Sequence, residues 1–190
     1  VYKRQLSASD RLSGDDMIKL QLDTESRYHA LLLKWVAANA KGAPQRWATW
    51  DAQAASDPRT FSEALAIDKA LQEILLNRVR KHLGGGGELP YTHRMARAWV
   101  IAALENDGVG LFGVDPHALA DRLVEVAAKV KDLYPATNRW ETQHPFVGRV
   151  PDMIGHWFAL STPEQVGYRA LVRTEAPTFG ASVRLIWNPG

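Results

Sequence analysis

Apolar positions recur at spacings of three and four in four stretches of the chain, the repeat of helices that bury one face. In the first stretch, Met17, Leu20, Thr24, Tyr28, Leu31 and Trp35 share a face behind Ser13 and Asp16, which stand at the spacing of a capping-box pair. The pattern predicts one helix from Ser13 to the breakers Gly42, Ala43 and Pro44. Gln21 lies at the edge of its buried face. A buried amide must be fully hydrogen-bonded, so Gln21 is expected to pin the helix to a neighbouring backbone segment, inside this chain or outside it. The second stretch opens on Asp57 and Pro58, continues through Phe61, Leu65, Asp68, Leu71, Leu75, Val79 and His82, and stops at Gly84–Gly87. The third includes Met95, Trp99 and Ala102 or Ala103 and ends near Gly108. The fourth starts at Asp115 and Pro116 and carries Leu119, Leu123, Val126, Val130 and Leu133 as far as Pro135. Between the first two, the segment QRWATWDAQAASDP reads as a loop anchored by burial of Trp47 and Trp50.

From Ala136 the period disappears. Pro and Gly punctuate the stretch up to Gln165, which is expected to be a long connection anchored by aromatic side chains. Two runs of period-two alternation follow, Tyr168/Ala170/Val172 and Val183/Leu185/Trp187, separated by the turn-forming EAPTFG. They predict a β-hairpin. The fold class expected is therefore α+β, mostly helical with a C-terminal hairpin. An isolated hairpin is marginal in water, so this one is expected to need a sheet supplied by other segments, and the chain to be a partial domain that stops directly after a strand.

Composition narrows the function classes without choosing one. With 190 residues, 46% hydrophobic and 23% charged, the chain has the composition of one ordinary domain or a piece of a larger one. No apolar run reaches the roughly 18 residues that a membrane helix needs. Lys and Arg exceed Asp and Glu by only 23 to 21 and are scattered singly, which argues against a nucleic-acid partner. The lack of cysteine excludes disulfides, thiolate metal sites and a cysteine nucleophile, but leaves the compartment open. Residues Val1 to Gln5, VYKRQ, contain no apolar signal segment and are expected to be an artefact of sequence assembly, leaving 6–190 as the partial domain.

The motifs that could carry chemistry have simpler structural readings. Gly84–Gly87 follow a helix and lead into Pro90, with no Lys-Ser or Lys-Thr pair, so they are a helix stop and not a phosphate loop. The six histidines, His29, His82, His93, His117, His144 and His156, never share a helix turn, and no metal ligands are assigned. Ser182 lies on a predicted strand without a Gly-x-Ser-x-Gly elbow. Asp15/Asp16 and Asp121/Glu125 belong to helix starts or solvated faces and have no acid–base geometry. Asp68 differs, because it interrupts an apolar face; if buried it needs a partner, an arginine in a structural ion pair.

Four stretches together resemble the penicillin acylase (penicillin amidase) family. LSGDDMIKLQLDTESRYHALLLKWV is similar to the family's acidic-Met helix start followed by Leu-Gln-x-Asp-x-x-Ser. RWATWDAQAASDPRTFSEAL, WETQHPF and APTFGASVRLIWN then follow in the family's order, from about Leu6 to Asn188. The resemblance implies the C-terminal part of the large chain of an N-terminal-nucleophile hydrolase with an αββα sandwich. In such enzymes a precursor cuts itself, and the new N-terminal serine attacks an amide, with its own α-amino group as base and an oxyanion hole for the tetrahedral intermediate. That serine, the oxyanion asparagine and the acidic residues that bind calcium are implied to lie upstream of this chain, so no catalytic, metal or cofactor-binding residue is assigned within it. The supporting residues implied here are Gln21, Asp23, His144, Ser182, Arg184 and Asn188, with Pro145 in the His-Pro turn. Asn188 stands where many relatives have an acidic residue, a departure that weighs against a charge-relay role for the strand. The implied substrate is an N-acylated small molecule, a β-lactam or an acyl-homoserine lactone. The implied partners are the remaining large-chain and small-chain segments of the same precursor, and the implied location is the periplasm. The rival expectations are a self-contained helical protein-interaction module, which would cover both hairpin edges within its own chain, and an inactive acylase-like protein.

Overall fold

A computed structural model describes residues 13–82, 84, 92–105, 112–131, 137–138, 141–142, 151, 154, 160–161 and 165–166. These residues are mostly helical. They fall into two compact units, one holding 27–52 and 59–131, the other 13–26, 53–58 and the described residues beyond 134.

The first of these units contains α2 (Arg27–Asn39), α3 (Gln45–Thr49), α4 (Pro58–His82, from Arg59 onward), α5 (Thr92–Glu105) and α6 (Pro116–Ala128). Helix α4 is its central element. It starts at Pro58, whose missing N–H costs nothing at a first helical turn, and ends where Gly84 takes a left-handed φ of 83°. Of the face predicted from the sequence, Phe61, Leu65, Asp68, Leu71 and Leu75 are buried, Val79 is half-buried and His82 is exposed. The N-terminal part is buried well beyond one face, since Thr60, Ser62, Glu63, Ala64 and Ile67 are also inside. Leu32, Leu33 and Val36 of α2, Val100 of α5 and Leu123 of α6 complete this core at 0% exposure. Each side chain of this size stabilises the fold by about 1.5–3 kcal/mol when fully buried.

Trp47 and Trp50 are buried as the loop reading requires, but the segment is not all loop: Gln45–Thr49 forms α3. Trp50 stacks on Phe61 with ring centroids 6.2 Å apart, and His29 meets the same phenyl ring edge-on at 5.2 Å. Helix α5 ends at Glu105, close to the position expected. Helix α6 starts as predicted, with the Asp115 carboxylate accepting the Ala118 N–H at 3.0 Å, but ends at Ala128 instead of continuing to Pro135. The N–H groups of Lys129 and Val130 reach back only three residues, to the carbonyls of Val126 and Ala127, and this tighter turn closes the helix.

In the second unit, α1 (Gly14–Gln21) opens on the predicted capping box. The Ser13 hydroxyl accepts the Asp16 N–H, and the Asp16 carboxylate accepts the Ser13 N–H at 3.0 Å. The single helix expected from Ser13 to Gly42 does not form. It breaks at 22–26, because that segment takes up long-range pairing: the Thr24 carbonyl accepts the Ala54 N–H at 3.1 Å, and Glu25 forms an isolated antiparallel bridge with Gln53. The Thr24 hydroxyl bonds Gln53 at 3.2 Å and accepts the Ala55 N–H at 3.3 Å.

Where the sequence predicts an irregular connection, two antiparallel two-residue ladders occur. In one, β1 (Thr137–Asn138) pairs with β4 (Gln165–Val166), Thr137 facing Val166; in the other, β2 (Glu141–Thr142) pairs with β3 (Leu160–Ser161), Glu141 facing Ser161. The hairpin expected over 168–187 lies outside the described residues.

Candidate functional site

Two carboxylates buried on α4, Glu63 and Asp68, organise the polar interior of the larger helical unit. Asp68 and Gln72 are one turn apart on the same face, so the amide can reach back, and the Gln72 Nε2 donates to Asp68 Oδ1 at 2.6 Å. From the first turn of α2, the Tyr28 hydroxyl donates to the same oxygen at 2.5 Å. From α5, Arg97 donates to Oδ2 through Nε at 3.2 Å and Nη2 at 3.0 Å, while its guanidinium lies 5.6 Å from the centre of the Tyr28 ring. His29 Nε2 sits 3.6 Å from Oδ2, longer than a hydrogen bond. The arginine that a buried Asp68 was expected to need is Arg97.

The electrostatics follow from burial set against these donors. Burial alone would raise the Asp68 carboxyl; His29, then the Tyr28 and Gln72 hydrogen bonds, outweigh it and bring its pKa down to about 2. The Tyr28 phenol is driven far up, first by burial and then by the charge of Asp68. Burial also drives the His29 imidazole down, against the attraction of Asp68, and at 0% exposure we take His29 as neutral. The cluster is thus an ionised carboxylate paired with Arg97, beside a neutral histidine.

Glu63 is held differently. Arg46, on α3, binds both its oxygens through Nη2 at 2.7 Å and reaches Thr60 through Nε at 3.1 Å. The Trp47 indole donates to Oε2 at 2.7 Å, and Arg59, one turn earlier on α4, donates to Oε1 at 3.0 Å. This arrangement fixes the short helix α3 against α4. Both carboxylates have their oxygens occupied by protein donors, which leaves neither one available to take a proton from a substrate. Among the described residues no group of three His, Asp or Glu side chains could hold a metal ion.

Of the supporting residues drawn from the sequence, Gln21 ends α1, and Asp23 lies within the helix break, where its Oδ1 accepts the Glu25 N–H at 2.8 Å. That local turn is a structural role. His144, Pro145, Ser182, Arg184 and Asn188 lie outside the described residues. The sequence reading did not single out Glu63 or Gln72, and it weighed His29 only as a metal ligand, not as a neighbour of Asp68. The spacings Arg59/Glu63 and Asp68/Gln72 were the available signals, since each pairs a carboxylate with a donor one turn away.

No protein-family model matches the chain, and no curated protein matches it.

Proposed function

We propose that the chain is a supporting part of an N-terminal-nucleophile amide hydrolase of the penicillin acylase type. The observation that carries this reading is the order of the four motif stretches between Leu6 and Asn188. The geometry supports a scaffold role: Glu63 and Asp68, the buried acids of the larger helical unit, are taken up by arginine, tyrosine, tryptophan and glutamine donors. The chemistry belongs to an N-terminal serine upstream of this chain. Its Oγ attacks the amide carbon of an N-acylated β-lactam or acyl-homoserine lactone, its α-amino group takes the proton, and oxyanion donors stabilise the tetrahedral intermediate. In this reading the hairpin expected over residues 168–187 joins an αββα sandwich, the calcium-binding acids also lie upstream, and the mature enzyme works in the periplasm. These 190 residues are inactive alone.

The test is expression of the complete parent gene, followed by intact mass and N-terminal sequencing of the product. Two chains, the larger beginning with serine, and release of free acid from an amide panel are the expected results. A single uncut chain, or a junction without serine, would sink the proposal.

A further inference from the structure

The C-terminal half of α4 borders an open groove of about 910 Å³, closed on other sides by α5 and the turn before α6. Its floor is apolar. Leu75 and Phe112, which are buried, and Ile74, Val79 and Trp99, which are half-buried, line it. Among the described lining residues every ionisable side chain is basic: Arg78, Lys81 and His82, all exposed. Gly113 has a φ of 66°, and a Cβ there would overlap the Arg78 guanidinium. The glycine therefore lets Arg78 lie directly against the backbone beside Val114, which holds its charge at the edge of the apolar floor. Basic residues in a last helical turn also offset the helix dipole, but that role needs no apolar surface beside them.

We propose that this groove binds an anionic amphiphile, an apolar chain lying along Trp99 and Phe112 with a carboxylate or phosphate head held by Arg78 and Lys81. The volume is that of a small-ligand site, which is mostly apolar with a few charged groups that set orientation. A guanidinium matches the two oxygens of such a head, and a cationic amphiphile would meet three basic side chains. The inference does not rest on the acylase reading, since it uses only the residues of this groove.

Decanoate, titrated below its micelle concentration into the intact protein, tests it through tryptophan fluorescence. The expected result is a saturable change in emission that Trp99→Phe abolishes, with calorimetry showing that decanoate still binds that variant. Lys81→Glu, at an exposed position that leaves the helix intact, should weaken binding about tenfold, and decyltrimethylammonium should give no response. Arg78→Gln, read by circular dichroism and calorimetry, should keep the fold and also weaken binding. No saturable response would overturn the proposal, whether the groove is filled by the chain itself or takes no ligand. So would an equal response to the cationic amphiphile, or a response that survives Trp99→Phe.

Discussion

Glu63 and Asp68 stand five positions apart on one helix and are both almost fully buried, yet their surroundings differ in what happens when the charge is lost. The cations on Glu63 reach in from outside: the Arg46 and Arg59 side chains are 47% and 43% exposed. Asp68 is held by groups that are themselves inside, namely Gln72, the half-buried Tyr28 and Arg97 at 26% exposure, with His29 alongside at 0%. An arginine left without its carboxylate can turn to water when it is half-exposed, whereas a buried amide or imidazole cannot. Burial of the acid alone therefore does not measure how much a fold depends on it; the exposure of its partners does.

The largest effect expected from this difference is at Asp68. Asp68→Asn keeps the volume but replaces one acceptor oxygen by an N–H₂, which faces either the Tyr28 and Gln72 donors or the Arg97 guanidinium in place of the oxygen they bond. It should cost about 3–5 kcal/mol, the range for breaking a buried pair from one side. Glu63→Gln makes the same chemical change where Arg46 and Arg59 can be rehydrated and the remaining side-chain oxygen can still accept from the buried Trp47 indole, and should cost at least about 1 kcal/mol less. Urea unfolding of the two variants checks this. Equal losses, or a larger loss at Glu63, would break the comparison.

How much of this was legible in the sequence depends on the range of the interaction that decides each feature. Helix α4 was legible because Asp57-Pro58, the apolar period and the Gly stop are all local. The need of Asp68 for a cation was legible too, as a charged residue on an apolar face. Its partner was not, since nothing local distinguishes Arg97 from the other arginines. The break between α1 and α2 was hidden because Thr24 and Tyr28 keep the helical period across it. What interrupts the helix is pairing of Thr24 and Glu25 with Gln53–Ala55, about thirty residues away and invisible to periodicity. Glu63 was missed for the opposite reason. Its charge reads as solvated surface, and only the fold brings Arg46 and Trp47 to it.

The second effect separates the two sites by pH. His29 ordinarily titrates near 6.5, and burial lowers it on folding. Its contribution to stability is therefore complete above about pH 6.5 and is lost as the pH falls below that value, because the unfolded chain then binds the proton more readily. Asp68, ordinarily near 3.8 and held at about 2, adds a contribution that is complete above 3.8 and is lost as the pH falls through about 2. Both slopes have the same sign, so the wild-type urea midpoint should fall steadily on acidification. His29→Asn should flatten the part between about pH 7 and pH 5 and leave the acid limb in place. A wild type that is more stable at about pH 5.5 than at pH 7.5 would mean that His29 is protonated and paired with Asp68, contrary to the neutral histidine assigned here.

The smallest effect is expected at Arg59. It donates a single bond to Glu63 Oε1 at 3.0 Å from one turn away, on a side chain already 43% exposed. Without it, Glu63 still accepts two contacts from Arg46 and one from Trp47, so no buried charge is left unpaired. Arg59→Ala should therefore cost about 0.3–0.5 kcal/mol, as exposed helix pairs of this spacing do, and the cost should shrink in high salt. Arg97→Ala removes the corresponding cation from Asp68 and should cost several times more, with little salt dependence, because the carboxylate it leaves behind is at 3% exposure. If the two arginines prove equally dispensable, hydrogen bonds from Tyr28 and Gln72 would be enough to hold Asp68 ionised, and the contrast between the two acids would reduce to their neutral donors.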